Sequence, residues 1–313
     1  MLLNVVFVIA GLLLLATGAE GLVRGAGAVA LRFGVAPLVV GLTIVALGTG
    51  SPEFVLSVQA AASGNGGLAL GNVLGSNISN IALVLGLAAL VRPLAVQARL
   101  IRREVPVMIG VTFLVAALMW DGGLGRLDGA VLLAGAVLYV AFAYFGARRG
   151  DVPAVAAEFD AALERERSLR VEALLVVVGL GALLLGATVL LRGAVELASA
   201  LGVSEVVVGL TVIAVGTSLP ELATSVSAAR RGQADVAFGN AIGSNVINIL
   251  AVLGAAALVR PLATSGLRPL DVAVFLASAV LVLPLMARGS VLNRWEGGAL
   301  VTGYAVYIVS LAA

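Results

Sequence analysis

Gly41-Leu-Thr-Ile-Val-Ala-Leu-Gly-Thr-Gly-Ser-Pro-Glu53, continued by Gly71-Asn-Val-Leu-Gly-Ser-Asn-Ile-Ser-Asn80, is the stretch on which the reading of this chain turns. Glu53 is the only ionisable residue between Arg32 and Arg92, and its neighbours are apolar or small. A lone carboxylate in such a run is costly in a bilayer and marks a functional pathway rather than a structural need. Pro52 removes a backbone N–H, and Gly48, Thr49 and Gly50 make a poor helix interior, so the helix is expected to break here.

The stretch returns 168 residues later without a gap. Gly48-Thr49 reappears as Gly216-Thr217, Pro52-Glu53 as Pro220-Glu221, Gly71-Asn72 as Gly239-Asn240, Gly75-Ser-Asn77 as Gly243-Ser-Asn245, Asn80 as Asn248 and Arg92-Pro93 as Arg260-Pro261. Arg24-Gly-Ala26 and Arg192-Gly-Ala194 match at the same offset, so the repeat includes the first span of each half. An internal duplication of this length fixes the architecture before any local assignment.

With 61% hydrophobic and 12% charged residues among 313, the chain reads as an all-α integral membrane protein. Apolar runs are expected to span at about residues 3–23, 36–62, 68–90, 104–120 and 127–147, then 171–195, 204–229, 235–258, 269–287 and 295–312. These ten helices divide into a first five-helix repeat (1–147), a polar cytoplasmic linker (148–170) and a second repeat (171–313). An odd number of spans per copy inverts the second copy in the membrane. Taken loop by loop, one side collects fifteen of the 19 basic residues, among them Arg24, Arg102, Arg230 and Arg231, and the other only Arg126, Arg192, Arg260 and Arg268. The richer side is expected in the cytoplasm of a cell inner (plasma) membrane, with both termini outside.

The chain has no Cys and no His, which removes thiolate and imidazole metal ligands and the usual nucleophile–base pairs. An enzyme is therefore not expected, nor a cofactor or a nucleic-acid partner. A site built here must use oxygen, which suits hard cations such as Ca²⁺ and Na⁺. Inversion would bring Glu53 and Glu221 together at mid-depth, where two carboxylates repel unless a cation or a proton lies between them. Thr49 and Thr217 lie one turn before the glutamates, and the carbonyls of Gly48 and Gly216 lose the N–H of Pro52 and Pro220. Ser76 with Asn80, and Ser244 with Asn248, are four apart and add hydroxyl and amide oxygens from the next helix. Gly71 with Gly75, and Gly239 with Gly243, read as small-residue pairs for close helix packing.

Gly-Thr-Ser-Leu-Pro-Glu221 and the doubled Gly-Asn-x-x-Gly-Ser-Asn resemble the alpha repeats of the calcium/cation antiporter superfamily, especially its prokaryotic sodium/calcium exchanger branch. The resemblance implies that Glu53 and Glu221 hold Ca²⁺ and share in holding Na⁺. It also implies that oxygens of Ala46, Thr49, Ala214 and Thr217 surround them, that Ser76, Ser244 and Ser218 serve flanking Na⁺ positions, and that Asn80 and Asn248 line the middle. Gly50 stands where the family carries Ser, so the hydroxyl matching Ser218 is absent from the first half. The expected activity is export of Ca²⁺ against inward Na⁺ by alternating access. Proton-driven exchange on the same fold stays open, because a proton needs the carboxylates but not the Ser and Asn oxygens.

Overall fold

The computed structural model describes residues 2–32, 45–147, 168–200, 214–264, 267–287 and 289–312. Thr43, its equivalent Thr211 at the 168-residue offset, and linker residues 148–167 lie outside these. Two long helices open the halves, α1 (Leu2–Arg32) and α7 (Leu169–Ala200). Among the described residues, the next elements in each half are a short helix, a break and a 12-residue helix: α2 (Ala46–Thr49) and α3 (Ser51–Ala62) in the first half, α8 (Ala214–Gly216) and α9 (Leu219–Arg230) in the second. Then come α4 (Gly66–Val91) and α10 (Ala234–Val259). The halves close with β1 (Leu94–Ala95), α5 (Ala98–Leu118), β2 (Gly123–Leu124) and α6 (Arg126–Ala147), matched by β3 (Leu262–Ala263), α11 (Pro269–Ala287), β4 (Val291–Leu292) and α12 (Arg294–Ala312).

Seven helices among the described residues are long and apolar enough to cross a membrane. Of the three further spans read from sequence, α3 and α9 rise only about 18 Å each at 1.5 Å per residue, short of a hydrocarbon core of about 30 Å. The third, α12, opens with Arg294, Trp295 and Glu296 and is less apolar. Large apolar side chains such as Leu2, Leu127, Val137 and Val177 are exposed, which suits a lipid-facing surface.

The two halves are tied reciprocally. The short strand β1 pairs with β4, Leu94 opposite Leu292, and β2 pairs with β3, Leu124 opposite Leu262. Leu94 and Leu262 are repeat equivalents, as are Leu124 and Leu292, so each contact is made twice with the halves exchanged. Arginines repeat the exchange. Arg260 lies against Gly64 in the turn after α3, and Arg92 against Gly232 in the turn after α9. Both glycines have positive φ, +85° and +77°, a conformation glycine adopts without a side-chain penalty.

Helices α1 and α7 are equivalents, yet they run antiparallel. Gly11 lies on Leu190, Gly18 on Leu183 and Gly25 on Val176, so position rises in one helix as it falls in the other. Their backbones touch. A Cβ built on Gly18 stands 2.7 Å from the Leu183 nitrogen, and one on Gly179 stands 2.5 Å from that of Leu22. Gly18→Val should therefore destabilise by about 1–3 kcal/mol, read as a fall in melting temperature in detergent. Gly181→Ala, where a Cβ meets nothing within 4 Å, should leave it unchanged. The small-residue packing expected at Gly71 and Gly75 is instead made here, since a Cβ on either meets no described atom within 4 Å.

Helices α4 and α10 are the centre. Their apolar windows are 78% buried within the protein, against 22–33% for the other five spanning helices. Most side chains of these two helices therefore face protein, and both helices carry the Ser and Asn residues singled out in the sequence.

Candidate functional site

The predicted helix break falls at Gly50 in the first half (φ −75°, ψ 5°) and at Ser218 in the second (φ −83°, ψ 7°). Each break is followed by a proline in the first turn, where its missing N–H has no helical partner to lose. Glu53 and Glu221 then occupy the first turns of α3 and α9, where the helix dipole favours a negative side chain. Both are buried.

The two carboxylates act on one another electrostatically, and Thr49 of the first half neighbours Glu221 of the second. Among the described residues neither glutamate forms an ion pair with an arginine. Among the described residues, Oε2 of Glu53 and both carboxylate oxygens of Glu221 are buried with no partner at ordinary hydrogen-bond geometry. An uncompensated pair of buried charges costs several kcal/mol per ion. Such a pair is relieved by a cation or a proton between the carboxylates.

The neutral oxygens point the same way. Asn80 donates its amide N–H to Oδ1 of Asn245 at 3.1 Å, and Asn248 donates to the Ser76 hydroxyl at 3.2 Å. Each asparagine thereby gives an amide N–H to protein and leaves Oδ1 buried with no partner among the described residues. The hydroxyls of Ser218 and Ser244 are likewise buried with no partner among the described residues, while Ser76 donates to the Val73 carbonyl at 3.1 Å. Thr49 is buried and gives its hydroxyl proton to the Val45 carbonyl at 3.0 Å, with Asn240 Oδ1 farther off at 3.4 Å, so lone pairs remain. Thr217 is half-buried in the loop before α9, and Ala214 opens α8.

Gly50 locates the focus of these groups. The point its Cβ would occupy is 3.0 Å from the Ala46 carbonyl oxygen, 3.4 Å from Asn248 Oδ1 and 3.7 Å from Glu221 Oε1. Three oxygens from α2, α10 and α9 ring a space that any side chain at position 50 would enter. Among the described residues there is no cluster of three or more Asp, Glu, His or Cys side chains. A hard cation here would meet two carboxylates and several neutral oxygens. That low ligand charge favours release as well as capture.

The Gly48 carbonyl, left free by Pro52, accepts a hydrogen bond from the Ser51 hydroxyl at 2.8 Å, which uses one of its two lone pairs. In the second half Leu219 takes the place of Ser51 and has no such donor. The sequence reading also gave no role to the brace behind each glutamate. Asn72 donates to the Ser57 hydroxyl at 2.9 Å and to the Glu53 carbonyl at 3.4 Å, and Asn240 repeats this with Ser225 at 2.9 Å and Glu221 at 3.2 Å. The signal was present, because Asn72, Asn240, Ser57 and Ser225 all obey the 168-residue offset. Nor was it apparent that α4 and α10 widen to π-helix over Asn80–Leu85 and Asn248–Leu253. Such segments re-aim side chains and recur at functional sites.

The family model for sodium/calcium exchanger proteins matches residues 3–145 and 171–312, both halves and not the linker. The chain belongs to the sodium/calcium exchanger family. It is an integral membrane cation antiporter. Among its relatives, the antiporter CaxA of Alkalimonas amylolytica is 40% identical over 312 residues, 98% of each chain. The sodium/calcium exchanger MaX1 of Methanosarcina acetivorans is 29% identical over 280 residues, 78% of this chain and 80% of that one. A solved structure of the sodium–calcium exchanger NCX_Mj, soaked with Na⁺ and Sr²⁺, superposes with a TM-score of 0.85 at 32% identity over 98% of both chains.

Proposed function

We propose that this antiporter moves Ca²⁺ out of the cell in exchange for Na⁺, holding either one Ca²⁺ or Na⁺ ions between Glu53 and Glu221. The observation that carries this is the pair of buried glutamates at equivalent positions, neither paired with an arginine among the described residues, with Thr49 beside Glu221 and with the Ala46 carbonyl, Asn248 Oδ1 and Glu221 Oε1 meeting over Gly50. Thr49, Thr217, Ser76, Ser244, Ser218, Asn80, Asn248 and the backbone oxygens of Ala46 and Ala214 complete the proposed shell. The Ser and Asn oxygens favour Na⁺ as the coupling ion, since protonation of the carboxylates alone would leave them idle.

Ten spans arranged as two inverted five-helix repeats follow from the same reading. The antiparallel contact of α1 with its own equivalent α7 and the exchanged strand pairs support it. The arginine-rich ends face the cytoplasm and the termini face outward. Alternating access then needs α1 and α7 to move across the fixed glutamate pair, and movement is opposed when the pair is charged and empty. That opposition couples the two fluxes.

Isotopic Ca²⁺ flux in proteoliposomes tests this directly, with Na⁺, H⁺ and K⁺ gradients imposed one at a time. Uptake driven by a Na⁺ gradient alone is expected. Uptake driven by a pH gradient in sodium-free vesicles, with none from Na⁺, would assign proton coupling instead.

A further inference from the structure

Helices α1 and α7 pack around a small apolar cluster, Leu15, Ala19 and Leu22 against Leu183 and Ala187, while Val23 of α1 reaches the main core. The two-helix unit meets α9, where Leu219 and Ala223 pack on it, and α7 also sets Leu180 on Gly48 and Leu191 on Gly216. At the far end of that contact the attachment is ionic. Arg231 grips both oxygens of the Glu20 carboxylate with the Nε–Nη2 edge of its guanidinium, Nε to Oε2 at 3.1 Å and Nη2 to Oε1. The Ser227 hydroxyl donates to Oε2 at 3.3 Å, and Arg24 adds Nη2 to Oε1 at 2.9 Å.

The mirrored positions lack this joint. Thr188 stands for Glu20, Ser63 for Arg231 and Gln59 for Ser227. Thr188 gives its hydroxyl to its own helix, at the Leu184 carbonyl, and Arg192, the counterpart of Arg24, pairs with Glu196 one turn along α7. No ion pair joins α7 to α3 among the described residues.

We propose that the Glu20–Arg231 pair is a one-sided latch that holds α1 against α9, making the two access states of the antiporter unequal. The inference rests on the alternating-access reading. In a transporter built of two copies, switching exchanges the surroundings of the copies, and identical copies would give states of equal energy. A contact present in one copy alone tips the balance. A bidentate arginine–carboxylate pair is among the stronger polar contacts, and this one is only partly exposed, 24% for Arg231 and 40% for Glu20. Both residues belong to the arginine-rich ends, so the latch keeps the cytoplasmic side shut and favours access from outside.

The chain has no cysteine, so spin labels can be placed on single introduced cysteines at Leu3 of α1 and Leu127 of α6, both exposed. Pulsed electron–electron distance measurement in liposomes then reads the position of the two-helix unit without requiring transport. Glu20→Gln and Arg231→Gln are each expected to shift the ratio of distance populations about tenfold away from the native major state. The exchange Glu20→Arg with Arg231→Glu should restore it, and Thr188→Glu with Ser63→Arg, which installs the pair in the other half, should shift the ratio the opposite way to the native pair. Unchanged distributions in both single variants, or a shift that the charge exchange leaves uncorrected, overturn the latch. Because the distances are read without ion flux, absent Na⁺-driven Ca²⁺ exchange would sink the proposed function and not this inference.

Discussion

Glu53→Gln lowers Na⁺-driven Ca²⁺ flux in proteoliposomes at least about a hundredfold, and Glu221→Gln does the same. The size follows from what each glutamate contributes. Removing one partner from a buried charged cluster costs about 3–5 kcal/mol, and each 1.4 kcal/mol is about tenfold in affinity. The amide keeps the shape of the carboxylate, and neither glutamate holds up the fold through a salt bridge among the described residues. Melting temperature in ion-free buffer should therefore be unchanged or higher, since two like charges no longer face each other. The rise in melting temperature on adding Ca²⁺ should vanish with the flux. Loss of flux with that rise intact would mean the glutamates serve switching and not binding. Native flux in either variant would remove them from the site altogether.

Much of this was legible because the repeat is ungapped. One offset tied Glu53 to Glu221 and Asn80 to Asn248, and each site residue could be read as one of a pair before any geometry was known. The break in each Glu-bearing segment was legible from Gly50 and Pro52 and from Pro220, because missing N–H groups and glycine have local consequences. The partners of buried polar groups were not. Asn72 and Asn240 look like further small polar residues beside glycine, and only the packing of α4 on α3 and of α10 on α9 shows them bracing the glutamate carbonyls. The glycine contacts were misplaced for a related reason. A glycine pair on α4 and a glycine series on α1 look alike in sequence, and which one meets a backbone depends on the long-range fit of α1 to α7. The joint between Glu20 and Arg231 was illegible for the opposite reason: it breaks the repeat, and a reading built on symmetry passes over what is present once.

Departures from the repeat are where the halves stop being interchangeable, and Gly50 is the one inside the site. Its counterpart is Ser218, whose buried hydroxyl has no partner among the described residues, so the second half offers an oxygen where the first offers open space. A Cβ at position 50 would sit 3.0 Å from the Ala46 carbonyl, tighter than ordinary contact, and would face Asn248 Oδ1 and Glu221 Oε1 at 3.4 and 3.7 Å. Gly50→Val adds two methyl groups beyond that point and places them among oxygens that would coordinate a cation. Apolar groups there displace the ion and any water, leaving the Glu221 carboxylate desolvated and unpaired. Ca²⁺ flux should fall at least about thirtyfold, the loss of one buried hydrogen-bonding or charged interaction of roughly 2 kcal/mol. Left-handed backbone strain is not the cause, because Gly50 has negative φ, −75°. Gly50→Ser is the informative partner, since its hydroxyl supplies an oxygen in the space that valine fills with carbon. It should retain measurable flux, with a changed dependence on Na⁺ concentration. Equal loss in the serine and valine variants would show that the space over Gly50 must simply be empty, and would move the ion away from it toward Glu53.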